Sequence, residues 1–193
     1  MSFWESAMSP LVAGQDKELA ATCARALKVG KDTKDPATAE RVAKICSLRP
    51  ADDPTHAAAL VLARRAVELG KGHRYLVYFQ MALGMAEYRS GHYAAADAAL
   101  LAAARLGTNT YTVSVTTAFY RAMSRFRQGQ EAEARQLASE AAVKMNPLPA
   151  DAKNPLGGQD SADDLILWLA FKEAKALMKF DAAPLAKTGN NKQ

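Results

Sequence analysis

The chain has 193 residues, 49% of them hydrophobic but only 7% aromatic, and a formal charge of +5. That is enough apolar content to bury one core, as a single domain or a short repeat array. The basic excess is dispersed, with no block of five or more like charges, which excludes a phosphate-tracking stripe and hence nucleic acid as a partner. No apolar stretch approaches the roughly 18–20 residues of a membrane span. The leading MSFWESAMSPLVAG lacks the basic-then-apolar order of a signal peptide, so a cytoplasmic location without membrane partners is expected.

In chain order, Phe3, Trp4, Ala7, Met8 and Leu11 predict a short amphipathic helix over 3–13, limited by Pro10. Asp16 opens a second helix through Val29, with Leu19, Cys23, Ala26 and Leu27 on one face and Gly30 as its stop. Asp35-Pro36 pairs an acidic N-cap with proline at the first helical position. That helix reaches about Leu48 and presents Ala39, Val42, Ala43 and Cys46. Asp53-Pro54 repeats the signal for a helix to about Gly70, burying Leu60, Ala63, Ala66 and Val67.

Two Gly-centred pairs follow, 75–90 with 92–106 and 110–128 with 130–145, turning at Gly91 and Gly129. The prolines and glycines of 146–159 predict an irregular loop. Ser161 and Asp164 start a last helix over 160–179, with Leu165, Ile166, Leu169, Ala170 and Leu177 inward and Lys172, Lys175 and Lys179 outward. Trp168 falls near that polar stripe, as a rim contact for a partner or as a ring leaning on the adjacent helix. The polar segment 181–193 reads as a flexible tail. Nine helices and no period-two segment predict an all-α fold.

The small residues of the Gly-centred pairs resemble the tetratricopeptide repeat, whose pattern runs Trp-x2-Leu-Gly-x2-Tyr, Ala-x3-Phe, Ala, Pro. Leu83-Gly84, Ala96, Leu100 and Ala103 take the Leu-Gly, Ala-x3-Phe and later Ala places, with Gly91 and Tyr93 at the turn. Gln80, Glu87 and Thr108 depart from it. In the next copy Ala122, Ala134, Ala138 and Ala141 fit, with the turn glycines 38 positions apart instead of 34.

The resemblance implies a right-handed α-solenoid of about four hairpins (3–29, 36–70, 75–106 and 110–145) with helix 160–179 as its cap. A broader likeness is carried by PLVAGQDKELAATCARAL, KDTKDPATAERVAKICSL and EYRSGHYAAADAAL. These runs resemble the C-terminal repeat region of bacterial serine/threonine protein kinases of the Planctomycetes type. This implies a regulatory or recruitment setting beside a kinase.

No phosphate loop, zinc motif, nucleophile elbow or kinase signature occurs, so no catalytic activity, cofactor or metal is expected. Cys23 and Cys46 read most plainly as buried thiols of a reducing compartment. The alternative, a disulfide or metal ligand, finds no C-x-x-C and no histidine at ligand spacing. His56, His73 and His92 lie near helix starts, far apart, and Asp163-Asp164 complements a helix dipole.

In tetratricopeptide arrays the first helix of each pair lines a concave groove. The corresponding residues here are Tyr78, Met81, Met85, Tyr88 and Arg89, then Thr116, Phe119, Met123, Phe126 and Arg127. Methionine and aromatic side chains make an adaptable apolar surface, and arginine adds a carboxylate-seeking fork. The expected partner is therefore an apolar peptide or protein with an acidic group. The competing readings are that these residues pack on neighbouring repeats or on the last helix, or that exposed apolar helix faces stack into a homo-oligomeric scaffold.

Overall fold

The computed structural model describes residues 15–107, 110–146 and 162–180. Among them the chain is all-helical, in eight helices with no strand: α1 (Asp16–Gly30), α2 (Pro36–Cys46), α3 (Asp53–Leu69), α4 (Leu76–Arg89), α5 (Tyr93–Leu106), α6 (Tyr111–Arg127), α7 (Glu131–Val143) and α8 (Ala162–Met178). The helix expected over 3–13, nearly all of the 146–159 loop and the tail lie outside the described residues. Of the first expected pair, 3–29, only α1 is therefore described.

Local chemistry sets the helix ends. The Asp35 carboxylate accepts from the Ala37 and Thr38 amides at 3.3 and 3.0 Å, relieving donors that a first turn leaves unpaired. Those bonds, and one from the Thr38 hydroxyl, hold its carboxyl below the usual range. At α3 the cap is Asp52, accepting from Thr55 N–H at 2.9 Å, one residue earlier than the Asp-Pro signal suggests. Pro54 then takes the second helical position, where its missing N–H also costs nothing.

The turns at Gly91 and Gly129 are the same motif twice. His92 N–H bonds Glu87 C=O and Gly91 N–H bonds Tyr88 C=O; Gln130 with Arg125 and Gly129 with Phe126 repeat it. This Schellman closure needs a left-handed residue, and the two glycines sit at φ 77° and 81°.

Helices α2, α4 and α6 pack side by side in a row. Helix α3 bridges α2 to α4, α5 bridges α4 to α6, and α7 pairs with α6, while α1 packs chiefly on α2 and less on α3. Alanine makes this close approach feasible: Ala43, Ala63, Ala96, Ala103, Ala122, Ala134 and Ala138 are all fully buried. Gly84 is the tightest crossing, since a Cβ there would lie 2.3 Å from Leu100 Cγ of α5.

Helix α8 leans chiefly on α6 and also touches α7. It runs in the same sense as α4. Asp163 near its start is within electrostatic range of Tyr78 on α4 and Glu40 on α2, and Glu173 near its end pairs with Arg89. The buried side of α8 is Leu165, Ile166, Leu167, Ala170, Phe171, Ala174 and Met178. Leu169 and Leu177, expected to be inward, are only partly buried, and Lys172, Lys175 and Lys179 are exposed as expected.

Candidate functional site

Arg89 closes α4 at the point where four helices meet. Its Nη1 and Nη2 each lie 2.6 Å from a Glu173 carboxylate oxygen on α8, a bidentate fork. Its Nε donates to Ser47 C=O at 2.9 Å and Nη2 to Leu48 C=O at 3.0 Å. Those carbonyls belong to the end of α2, where a helix leaves acceptors unpaired. The guanidinium also lies over the Tyr88 and Tyr120 rings, at 5.3 and 5.8 Å from their centroids.

The Arg89 side chain is 4% exposed, so its charge is tolerable only because every direction offers a partner. Burial works against that charge, but Tyr120 and the Glu173 carboxylate outweigh it and hold Arg89 above its usual range. Burial likewise pushes the Tyr88 and Tyr120 hydroxyls up, so both stay neutral at ordinary pH, and Tyr120 accepts from Arg89 Nη2 at 3.4 Å.

The ten expected groove residues separate once side chains are placed. Met81, Met85, Tyr88, Thr116, Phe119 and Met123 are buried, Arg89 is enclosed, and Tyr78 and Phe126 are partly buried against the core. Only Arg127 is exposed. Helix α8 lies over part of this face, packing chiefly on α6 and reaching α4 through Arg89. Phe171 of α8 meets Phe119 edge-on at 5.6 Å, and Phe180 meets Phe171 edge-on at 6.3 Å. Arg135 of α7 donates to the terminal Met178 carbonyl at 3.1 Å and covers the Phe126 ring. The match between Arg89 and Arg127 in sequence ends here: one is enclosed and anchors α8, the other is exposed and reaches the Tyr88 hydroxyl.

Other polar contacts join the row without forming a chemical centre. Glu87, buried at the tyrosine place of the repeat pattern, accepts from Arg64 Nη2 of α3 at 2.8 Å and pairs with His92 at 2.7 Å. Asp97 of α5 accepts from Arg121 Nε of α6 at 2.8 Å. His56 Nε2 accepts from Ala51 N–H at 2.9 Å and His73 Nδ1 from Tyr75 N–H at 3.1 Å, so both histidines brace a helix entry. Trp168 is partly buried on the core, with Lys172 Nζ 4.5 Å above its ring.

Among the described residues no group of three histidine, cysteine or acidic side chains is placed to hold a metal ion, and no helix is long and apolar enough to cross a membrane. Among the described residues the exposed large apolar side chains are scattered: Val29 on α1, Val61 and Leu69 on α3, Tyr75 just before α4, Leu106 on α5 and Val143 on α7. Comparison with protein-family models, curated proteins and solved structures returns no match to this chain.

Glu173 and Phe171 are the site residues that sequence reasoning missed. Both lie in the last helix, whose apolar run from Leu165 to Phe171 offers no single stripe. A lone glutamate among lysines was the only signal for the charge partner.

Proposed function

We propose that this chain is a tetratricopeptide-like repeat module, a right-handed α-solenoid that holds a partner helix against the inner row α2–α4–α6. Its own α8 occupies that place in cis and works as a template for the ligand. The partner is then a protein or peptide segment that forms an amphipathic helix. Its apolar face replaces Ile166, Ala170, Phe171 and Ala174, and a carboxylate takes the place of Glu173. The observation that carries this reading is the buried Arg89 fork on Glu173, one charged anchor on an otherwise apolar seat. An arginine with that geometry selects carboxylate over other polar groups. In the setting implied by the likeness to bacterial serine/threonine kinases, such a module recruits a substrate or regulator without catalysing anything itself.

The test uses the full chain with α8 loosened by Phe171→Ala and Glu173→Gln together. A fluorescent peptide covering 162–180 should bind this variant and bind wild type at least tenfold more weakly, because the seat is filled. A peptide carrying Glu173→Gln should lose roughly tenfold in affinity, the low end for removing a charged hydrogen-bonded partner. A loosened chain that keeps its helical circular dichroism yet takes neither peptide would sink the proposal.

A further inference from the structure

Away from the α8 seat, the two cysteines come together. Cys23 of α1 and Cys46 of α2 are 23 positions apart in sequence, yet the Cys46 Sγ lies 3.9 Å from the Cys23 carbonyl oxygen and reaches the Cys23 thiol. Both are reduced, 5% and 2% exposed, and both line a cavity of about 230 Å³ between α1, α2 and the start of α3. Leu19 and Ile45 share its walls, and Asp16 and Asp52, both exposed, stand at its mouth. The pair is thus shielded from bulky thiols but open to a small polar molecule. The hydrogen bond from Cys46 favours the Cys23 thiolate against burial, holding that thiol below its usual range. The same bond, with burial, pushes Cys46 up. Cys23, nearer the Asp16 end of the cavity on α1, is taken as the attacking sulfur and Cys46, whose S–H already points to the Cys23 carbonyl, as the second.

We propose that Cys23 and Cys46 form a hydroperoxide-sensitive dithiol whose oxidation ties α1 to α2 through a disulfide. The Cys23 thiolate attacks one peroxide oxygen and the O–O bond breaks. The departing hydroxide takes up a proton as water and leaves a sulfenic acid on Cys23. The Cys46 sulfur then attacks the Cys23 sulfur, the S–O bond breaks, and a second water leaves with the Cys46 proton. Two thiols have been oxidised and one peroxide reduced to two waters. The consequence is local. Among the described helices α1 packs chiefly on α2, so the bond fastens it to the first helix of the row.

The experiment treats the reduced, folded full chain with one equivalent of hydrogen peroxide. Both thiols should disappear together, in a monomer lighter by two hydrogens. A single cross-linked peptide pair should join Cys23 to Cys46, and dithiothreitol should restore it. The melting temperature should rise by several degrees on oxidation, and amide exchange across 16–30 should slow. In Cys46→Ala, oxidation should halt at a Cys23 sulfenic acid that dimedone captures; in Cys23→Ala, Cys46 should stay reduced. Stable sulfenic acid in wild type, disulfide-linked dimers, or thiols that react only after unfolding in urea would each overturn the proposal. The wild-type measurement decides the matter even if a cysteine variant fails to fold.

Discussion

Gly84→Ala puts the helix crossing to a quantitative test. Glycine inside a helix costs roughly 1 kcal/mol relative to alanine, so on propensity alone the change should stabilise α4. The new Cβ, however, would lie 2.3 Å from Leu100 Cγ and 2.7 Å from its Cδ2, and Leu100 is itself fully buried. It has no open space to swing into. Overpacking of this kind costs about 1–3 kcal/mol, so a central value of about 2 less the propensity gain leaves a net loss of about 1 kcal/mol.

The second repeat suggests the control. At the same register it carries Ala122 and Ala138, both fully buried, in place of Gly84 and Leu100. Leu100→Ala alone should cost about 2–5 kcal/mol through the cavity it leaves. In that background the clash is gone, and Gly84→Ala should stabilise by about 1 kcal/mol, giving a coupling of about 2 kcal/mol between the sites. Urea midpoints at constant slope measure all four chains, and 1 kcal/mol corresponds to about 2–4 °C in melting temperature. If Gly84→Ala has the same effect with and without Leu100, the crossing is not where the geometry puts it.

Two further outcomes follow from the polar contacts. Arg89→Met strips donors from the Ser47 and Leu48 carbonyls as well as the partner from Glu173, so it should destabilise by about 3 kcal/mol and speed amide exchange in both α2 and α8. Glu173→Gln should loosen α8 with little effect on α2; equal exchange patterns for the two variants would refute Arg89 as a four-helix junction. His56 concerns pH. Burial, then the nearby Arg89 charge, lower its pKa below the usual 6.5, against its hydrogen bond to the Arg49 backbone carbonyl and the charges of Asp53 and Asp52.

Between the lowered folded value and the usual one the unfolded chain binds more proton, so stability rises with pH there. The His56 contribution is complete above the usual value and is lost as pH falls through the folded one. Stability followed from about pH 7 down to about pH 5 should therefore fall less steeply in His56→Gln than in wild type; identical slopes would remove His56 from the account.

Helix existence, and most helix ends, were legible because short-range chemistry sets them. Asp35-Pro36 caps and starts α2 with atoms three residues apart, and Gly91 and Gly129 close their helices through bonds spanning five. The exception, Asp52 instead of Asp53, shows the limit, since two adjacent acids offer the same cap and backbone geometry selects between them. The buried face of α1 was also legible, because its outer side is polar enough to leave one apolar stripe, whereas α2 is buried nearly all round, with Glu40 and Lys44 paired inside at 2.7 Å. The face of α8 was not, because seven consecutive apolar residues carry no periodic preference.

What the sequence by itself determined is an all-α chain of closely crossing helices, with glycine and alanine where backbones approach and two matching sets of tyrosine, phenylalanine, methionine and arginine on alternate helices. Burial of those sets was decided only by the tertiary structure. A methionine facing an empty groove and one under another helix obey the same periodicity. Arg89 and Arg127 hold equivalent places, yet Arg89 finds Glu173 84 positions away while Arg127 remains exposed. Local sequence cannot separate them, because the difference is made by a carboxylate that only the packing of α8 brings within 2.6 Å.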